Sequence, residues 1–435
     1  MEQIPQTEQM STDELYKTGL KYIYGDGKNV DAEYGFSLIE KAAGDGNILA
    51  LNSLGECYLY GMGTKADSQK ALECFTQSKN QGVLDAYNNI GIYYYMQNTP
   101  ETDILAINIF KECSDKGLAK AKYYLAKSYF DEVSKDITEQ KAIELLEEAV
   151  KLGDSDGELY LGRLYLNGKY VKKNYAKAIS LFTQSANKFN AVAQYYLGYC
   201  YFNGFAGVIQ NVSKGTKFYQ KAADRGVADA QYNLGILYYN GDGVNKSLTK
   251  AVKYLQMASD NNHDVALNLL ASWYDKGIGV EVDYKKAIEY YTRAAELGND
   301  KAQFNLGICY YRGQGVTQNY FKALEYFELS AAQNNSKAQT NAGYCYFNGY
   351  GTNGADIKKA IAYWEKASEQ NNGEAQYHLG TCYENGTGFK KDIKKAVMLY
   401  KMSVQNNFDG AVSSLKDLAK RGNSDAKKVC AELFS

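Results

Sequence analysis

Proline and histidine are scarce in this sequence, and their scarcity limits both fold and chemistry. The 435 residues include two prolines, Pro5 and Pro100, so helices can follow one another with few interruptions. The two histidines are His263, for which a structural role at a turn is predicted, and His378, which is expected on the surface. The chain lacks an HExxH zinc motif, a Gly-x-Ser-x-Gly elbow, a Walker loop and a Cys-x-x-Cys pair. These absences argue against an enzyme, and we expect neither a metal nor a cofactor.

Long apolar runs and an excess of one charge are also missing. No window approaches the roughly 18 apolar residues of a membrane helix, and residues 1–12 are too polar for a signal peptide. With 49 basic and 50 acidic residues, the chain has no surplus of the kind that nucleic acids or anionic membranes attract. We therefore expect a cytoplasmic protein that neither inserts into membranes nor binds nucleic acid.

The chain contains an internal repeat of 35 to 37 residues, defined by two small-residue markers. The first marker recurs at Gly19, Gly55, Gly91, Ala126, Gly162, Gly198, Gly235, Ala271, Gly307, Gly343 and Gly380. The second recurs at Gly35, Ala71, Ala106, Ala142, Ala178, Gly215, Ala251, Ala287, Ala323, Ala360 and Ala396. Between them, a turn such as Gly241-Asp242-Gly243 breaks the apolar periodicity of three and four residues. Each repeat is therefore predicted to be two amphipathic helices that approach closely at the markers.

The repeat carries a recognisable motif, which is clearest in residues 302–331, AQFNLGICYYRGQGVTQNYFKALEYFELSA. The pattern A-x-x-x-L-G-x-x-Y-x-x-G-x-G-V, followed by K-A and two large residues, resembles the Sel1-like repeats, relatives of the tetratricopeptide repeats. The resemblance covers residues 13–408. It implies an all-α fold, an α/α right-handed superhelix of about eleven helix-turn-helix repeats whose first helices line the concave side. It also implies a role in holding proteins or peptides together in assemblies.

We expect one continuous solenoid without a domain boundary. Residues 1–12 are predicted to be a disordered N-terminus, residues 13–408 the eleven repeats, and residues 409–435 helices that cap the C-terminal end.

Three turns depart from the common pattern. The turn of repeat three is predicted to use Asn98, Pro100 and Asp103, and that of repeat four Asp136, because both lack the glycine pair. The second helix of most repeats ends eleven residues after its marker at a glycine or asparagine, which tolerate the left-handed conformation. Phe189 is the exception, so the turn there is predicted to be built differently.

The eight cysteines are predicted to be reduced. Five of them occupy one repeat position, two residues after the first marker: Cys57, Cys200, Cys309, Cys345 and Cys382. Equivalent positions in stacked repeats lie on the order of 10 Å apart, which exceeds the roughly 7 Å limit between α-carbons of a disulfide. Some secreted members of the family that the chain resembles pair cysteines eight residues apart, and no such pair exists here. This usage agrees with a cytosolic chain.

The 41 tyrosines suggest where a partner binds. At about 100° per residue, positions two before the marker leucine and two and five after it should face away from the helix pair, towards the concave wall. The aromatic residues there, with one neighbouring arginine, are the predicted peptide-binding residues: Tyr123, Phe130, Tyr195, Tyr199, Phe202, Tyr232, Tyr239, Phe304, Tyr311, Arg312, Tyr344 and Phe347. Their rings either pack between neighbouring first helices or line a groove for an extended or helical peptide.

The leading hypothesis is a non-enzymatic scaffold or adaptor that binds a peptide or protein segment on its concave face. One alternative is a secreted or injected effector that uses the same scaffold on a host protein. Another is a weak β-lactam hydrolase activity, which the resemblance suggests because some secreted members of the family have been described with it. The missing serine-lysine motif and the missing disulfides argue against the hydrolase.

Overall fold

The structure, a computed structural model, describes residues 10–25, 31–205 and 207–434. Residues 1–9 of the predicted N-terminal segment and residues 26–27 of the first turn lie outside the described residues. Over the described ranges the chain forms 24 α-helices and no β-strand. This confirms the predicted all-α solenoid of helix-turn-helix repeats.

The chain divides into two compact units, Met1–Val227 and Ala228–Ser435. Unit 1 contains twelve helices: α1 (Thr12–Tyr24), α2 (Ala32–Gly44), α3 (Ile48–Tyr60), α4 (Ser68–Asn80), α5 (Leu84–Gln97), α6 (Pro100–Asp115), α7 (Ala119–Phe130), α8 (Glu139–Lys151), α9 (Ser155–Asn167), α10 (Tyr175–Asn187), α11 (Ala191–Asn203) and α12 (Val212–Ala223). Odd-numbered helices are the first helices of repeats one to six. Within the unit, each packs against its own second helix and against the second helix of the preceding repeat.

Unit 2 is built in the same way. Its helices are α13 (Ala228–Asn240), α14 (Leu248–Asp260), α15 (Asp264–Lys276), α16 (Tyr284–Glu296), α17 (Asp300–Arg312), α18 (Tyr320–Ala332), α19 (Ser336–Asn348), α20 (Ile357–Glu369), α21 (Gly373–Asn385), α22 (Ile393–Gln405), α23 (Gly410–Lys420) and α24 (Ser424–Phe434). The pairs α13/α14 to α21/α22 are repeats seven to eleven. Helices α23 and α24 lie in the segment that is predicted to cap the array.

The first marker makes room for a large side chain of the second helix. A Cβ atom built on Gly162 would lie 2.6 Å from the ring of Phe182, and one on Gly307 would lie 2.6 Å from the ring of Phe327. Both rings are fully buried. A glycine in the first helix therefore lets an aromatic ring fill the centre of the helix pair, which buries a large apolar area.

The second glycine of the turn fixes the stacking of one repeat on the next. Gly315 has a φ of 74°, and a Cβ atom there would lie 2.7 Å from the backbone oxygen of Tyr284, the first residue of the preceding second helix. The same backbone contact recurs at Gly63 on Ala32 and at Gly351 on Tyr320, whereas Gly279 and Gly388 pack mainly against side chains of the preceding second helix, those of Leu248 and Ile361. Glycine suits this position through both its conformation and its lack of a side chain, although repeat five has the left-handed Tyr170 there, with a φ of 66°.

The turns of repeats three and four, which have no glycine, use other caps. In repeat three, Asn98 is left-handed with a φ of 52°, and Thr99 caps α6, whose first residue is Pro100. In repeat four, Thr138 caps α8, and the Asp136 backbone N–H donates a 3.4 Å hydrogen bond to the Ser134 hydroxyl within the turn. The Asp136 carboxylate lies 2.8 Å from the ammonium of Lys111.

All eight cysteines are free thiols, and the five at the repeated position are buried. Both observations agree with the prediction from the sequence.

Candidate functional site

One face of each first helix points away from its partner helix, and side chains of different repeats meet along it. This face holds the residues six and two before the first marker and one and five after it, and we call it the inner stripe. In unit 1, the Lys120 ammonium of α7 lies 3.8 Å from the Glu56 carboxylate of α3, two repeats earlier. In unit 2, the rings of Tyr344 and His378, from successive first helices, are 5.9 Å apart. Since first helices two repeats apart touch, the inner stripe of unit 1 is concave.

Most of the predicted peptide-binding residues of unit 1 lie beside this stripe. Tyr123 and Phe130 are buried. The rings of Tyr195 and Phe202 lie 5.7 Å and 6.1 Å from that of Tyr219 in the partner helix. These four rings therefore support the wall of the unit and present little surface to a ligand.

The predicted residues of unit 2 behave in the same way. The first and third predicted positions place their rings on a neighbouring ring, with centroids 4.9 to 6.0 Å apart, in the pairs Tyr232–His263, Tyr239–Trp273, Phe304–Phe327, Tyr311–Tyr320 and Phe347–Trp364. All five predicted residues are only partly buried. They form the half-exposed edges of the packed wall.

Three predicted residues do lie on the inner stripe. Tyr199 and Tyr344 each expose 38% of their surface, and Arg312 is exposed at the end of α17. The sequence reasoning missed the other stripe positions, among them Tyr24 and Tyr124. Their spacing of four, three and four residues along each first helix is a helical face that the sequence could have indicated.

Unit 1 has a groove of about 680 Å³ along its inner stripe. Lys17, Lys21 and Tyr24 of α1 line one side, and Asp156 of α9 and the segment 188–190 line the other. The volume is within the roughly 300–1,000 Å³ that is typical of ligand sites. The groove therefore lies between the first repeat and the fifth and sixth repeats.

Charged and phenolic groups cluster next to this groove. Burial alone would lower the pKa of Lys120, but the nearby Glu56 carboxylate and the neighbouring Tyr60 raise it, so the ammonium stays charged. Tyr60 also hydrogen-bonds with Tyr124, and burial raises the pKa of both hydroxyls. Clusters of titratable groups with shifted pKa values in a concave surface are typical of functional sites.

Beside the groove, repeat five differs from the other repeats in three ways, and the first is Phe189. The φ of Phe189 is 64°, which is the left-handed conformation of the equivalent glycines and asparagines. The prediction of a differently built turn is therefore wrong. The Arg225 guanidinium donates a 2.8 Å hydrogen bond to the Phe189 carbonyl and lies 5.2 Å from its ring. The Phe189 side chain is 43% exposed and lines the groove. A left-handed backbone costs a residue other than glycine roughly 1–2 kcal/mol.

A second departure is an ion pair whose carboxylate is buried and whose lysine is exposed. In unit 2, a glutamine of the first helix hydrogen-bonds an amide at the end of the second helix, in the pairs Gln231–Asn261, Gln303–Gln333, Gln339–Gln370 and Gln376–Asn406. Glu158 and Lys188 replace the two amides in repeat five. The Glu158 side chain is 2% exposed, and its second carboxylate oxygen has no hydrogen-bond partner among the described residues. Burying a carboxylate in place of a neutral amide carries a desolvation cost.

A third departure is Asp154, the N-cap of α9. It accepts a 2.6 Å hydrogen bond from the Gly157 amide. The equivalent caps are asparagines in the repeats that begin after Asn47, Asn190, Asn299, Asn335 and Asn372. Burial raises the pKa of Asp154 to about 6, and the neighbouring Asp156 and Glu158 add to the rise.

Replacing Asp154 with asparagine is expected to stabilise unit 1 at pH 7. The amide oxygen keeps the cap, and the desolvated charge is removed. Because the folded pKa lies above the unfolded value, the wild type loses stability as the pH rises through about 4 to 6, by about 1–3 kcal/mol. Denaturant unfolding at pH 7 and pH 4 should therefore show a gain for Asp154→Asn that shrinks at pH 4.

Asp67→Asn is the matched control, since Asp67 caps α4 at an exposed position. It should change stability little at either pH. An Asp154→Asn protein no more stable than the wild type at pH 7 would contradict the assignment of an unfavourable charge.

The two histidines have different environments. His263 caps α15, with its Nδ1 accepting a 3.1 Å hydrogen bond from the Ala266 amide, which confirms its predicted structural role. The expectation that His378 lies on the surface is wrong. Its imidazole is half-buried and stacks on Trp364 with centroids 4.7 Å apart, because α20 brings this indole beneath α21.

Within the described ranges, no group of three or more His, Cys, Asp and Glu side chains could hold a metal ion. None of the described helices is both long enough and apolar enough to cross a membrane.

Comparison with known proteins identifies the family of the chain. The family model described as Sel1 repeat matches residues 15–47, 48–83, 119–154, 155–188, 191–227, 228–263, 264–299, 300–335, 336–372 and 373–408. The unmatched residues 84–118 form repeat three, whose turn lacks the glycine pair. No curated protein matches the chain.

Two solved structures are similar over most of the chain. One is c5321, a protective antigen of uropathogenic Escherichia coli strains with an SLR fold, at 26% identity and a TM-score of 0.60; the match covers 89% of this chain and 83% of that one. The other is a Sel1 repeat protein from Oxalobacter formigenes, at 29% identity and a TM-score of 0.51; the match covers 71% of this chain and 89% of that one.

Proposed function

The chain belongs to the Sel1 repeat family, and from that premise we propose that it is a non-enzymatic scaffold that binds a segment of a protein partner on its inner stripe. The groove of unit 1 is the proposed principal site. Repeats of this family generally serve as protein-interaction modules, and the partner is expected to be a protein or peptide rather than a nucleic acid, a membrane or a metal.

Phe189 is the observation that carries the proposal. Its ring is exposed in the groove, and its backbone adopts a conformation that costs free energy for any side chain. Strained residues persist where the surrounding structure holds them in place, and they cluster at binding and switch regions. Aromatic side chains, phenylalanine among them, are also enriched in protein interfaces relative to the rest of the surface.

The other groups of the groove suit a polypeptide partner. Lys17 and Lys21 face Asp156 across it, so both signs of charge are present within one site. Tyr24 adds an exposed phenol with both an apolar face and a hydrogen-bonding hydroxyl. A protein segment with mixed polar and apolar side chains can satisfy all of these groups, whereas a nucleic acid would require a predominantly basic surface.

We place this scaffold in the cytoplasm, because its eight cysteines are free thiols. The alternative of an exported effector has one supporting observation, the description of the Escherichia coli relative as a protective antigen. Such an effector would use the same groove.

Replacing Phe189 with glycine separates binding from folding. Glycine adopts the left-handed backbone without strain, and this gain of roughly 1–2 kcal/mol exceeds the roughly 0.4–1 kcal/mol that its extra freedom in the unfolded chain costs, so Phe189→Gly is expected not to destabilise unit 1. It should nevertheless reduce recovery of the natural partner at least about tenfold, as expected for a hot-spot residue. The measurement is affinity purification with quantitative mass spectrometry from cells that naturally make the protein.

Phe321→Ala is the control, since Phe321 is an exposed aromatic residue on the second helix α18, outside the inner stripe. It should leave recovery unchanged. Equal recovery of every co-purified protein with wild type and Phe189→Gly would remove the groove from the proposal.

A further inference from the structure

Unit 2 has a small pocket between its repeats ten and eleven. The side chains of Tyr344, Phe347 and Asn348 from α19 and of His378 and Asn385 from α21 line it, and Trp364 of α20 closes one side. Its volume is about 110 Å³, roughly that of three or four water molecules in the liquid. The pocket lies on the inner stripe, since Tyr344, Asn348, His378 and Asn385 are stripe residues. It is the size of one side chain and too small for a drug-sized ligand.

The pocket carries no charge at neutral pH. None of its lining residues is an acid, a lysine or an arginine. Burial lowers the pKa of His378 to about 4, so its imidazole is neutral in the physiological range. A charged side chain that entered would lose its hydration and find no opposite charge, which is unfavourable.

Aromatic rings form the walls of the pocket. The His378 and Trp364 rings are stacked at 4.7 Å with an interplanar angle of 15°, and Phe347 lies 5.3 Å from Trp364. The Trp364 indole N–H donates a 3.1 Å hydrogen bond to the Thr340 carbonyl and is therefore occupied. The ring faces favour a flat group that can stack.

Polar atoms at the pocket have unused hydrogen-bonding capacity. The His378 imidazole makes no hydrogen bond with any residue that the structure describes, and the same holds for the Asn385 side-chain amide. The Asn348 amide nitrogen donates to the Tyr344 carbonyl at 2.8 Å, which leaves its oxygen as an acceptor. A neutral imidazole has one donor and one acceptor, and a carboxamide has two donors and an acceptor. An aliphatic group would leave these atoms unpaired once water is displaced.

We propose that this pocket binds the carboxamide side chain of a glutamine or asparagine in the bound partner segment. The carboxamide is neutral and planar, so it can stack on the aromatic walls. It also donates and accepts hydrogen bonds, so it can pair with the free polar atoms of His378, Asn385 and Asn348. This inference rests on the proposed scaffold function and adds the side chain that unit 2 selects.

Selective labelling makes the pocket directly observable. The chain has only two histidines and two tryptophans, so ¹³C-histidine and ¹⁵N-indole spectra contain few signals. The probes are propanamide, propanoate, butylammonium and isobutane, which represent glutamine, glutamate, lysine and leucine side chains. Propanamide should shift the His378 and Trp364 signals saturably and leave those of His263 and Trp273 in place. At equal concentration, the other three probes should shift the His378 and Trp364 signals at least about tenfold less than propanamide does.

A shift with isobutane or a charged probe equal to that with propanamide, or no shift with any probe, would overturn the proposal. His378→Phe is the specificity variant, since it keeps a ring on Trp364 and removes both ring nitrogens. It should lose the propanamide shift at the Trp364 indole and gain one with isobutane. A His378→Phe protein with unchanged preference would also overturn the proposal.

A second experiment separates this inference from the scaffold function. A random decapeptide library displayed on phage is selected on the full chain and, in parallel, on His378→Phe. Glutamine or asparagine enriched at one fixed position on the wild type alone supports the pocket. Peptides selected without that enrichment overturn the pocket and leave the scaffold standing. Selection of no peptide, combined with a positive propanamide shift, would count against the scaffold and not against the pocket.

Discussion

Replacing Gly351 with alanine is expected to destabilise unit 2 by about 2–5 kcal/mol, because two costs add. Gly351 has a φ of 70°, which is unfavourable for a residue with a side chain. A Cβ atom there would also overlap the backbone oxygen of Tyr320, the first residue of α18. Since that contact is with backbone, neither partner can move aside without shifting one repeat against the next.

Gly298→Ala is the matched control in the same unit. Gly298 has a φ of 88°, and nothing lies within 4 Å of the position that its Cβ would take. This variant should cost only about 1–2 kcal/mol, the price of the left-handed backbone. Denaturant unfolding followed by tryptophan fluorescence measures both variants, because Trp273 and Trp364 are both in unit 2. Equal effects of the two substitutions would show that the inter-repeat contact contributes nothing.

Acidification is expected to destabilise unit 2 through His378. Its folded pKa is about 4, below the ordinary value of 6.5, so the unfolded chain binds more protons between these two values. Stability from the neutral imidazole is therefore complete above about pH 6.5 and is lost as the pH falls towards 4. The expected loss is about 2 kcal/mol between pH 7 and pH 5, and about 3 kcal/mol by pH 4.

His378→Phe isolates this effect from the titration of the carboxylates. Both proteins share the same acids and retain His263, so these groups cancel in the comparison. The variant should keep the stack on Trp364 and lose stability less steeply than the wild type between pH 7 and pH 5, as measured by denaturant unfolding. Parallel pH profiles of the two proteins would contradict a buried, neutral His378.

The fold could be predicted because its determinants recur. Small residues at a fixed step, such as Gly307 and Ala323, appear in almost every repeat, and each occurrence supports the same helix pair. The structure adds a reason that the pattern alone did not show, since the first marker admits the ring of a residue such as Phe327.

The candidate site was harder to predict because a single residue decides each feature. One step along a helix turns a side chain by about 100°, so Tyr123 is buried in the wall whereas Tyr124 faces the inner stripe. The strained backbone of Phe189 depends on Arg225, 36 positions later in the chain. Likewise, nothing near His378 in the sequence indicates that Trp364 lies beneath it.

The contact between the second turn glycine and the preceding second helix has a consequence for how such a chain can change its length. At Gly63, Gly315 and Gly351 the joint places a bare backbone on the first residue of the neighbouring helix, and that residue differs from joint to joint, from Ala32 to Tyr320. At these three joints the fit depends on main-chain atoms, which all repeats share. A gene can therefore gain or lose one whole repeat in a single step, because the repeats that become neighbours can form the same backbone contact.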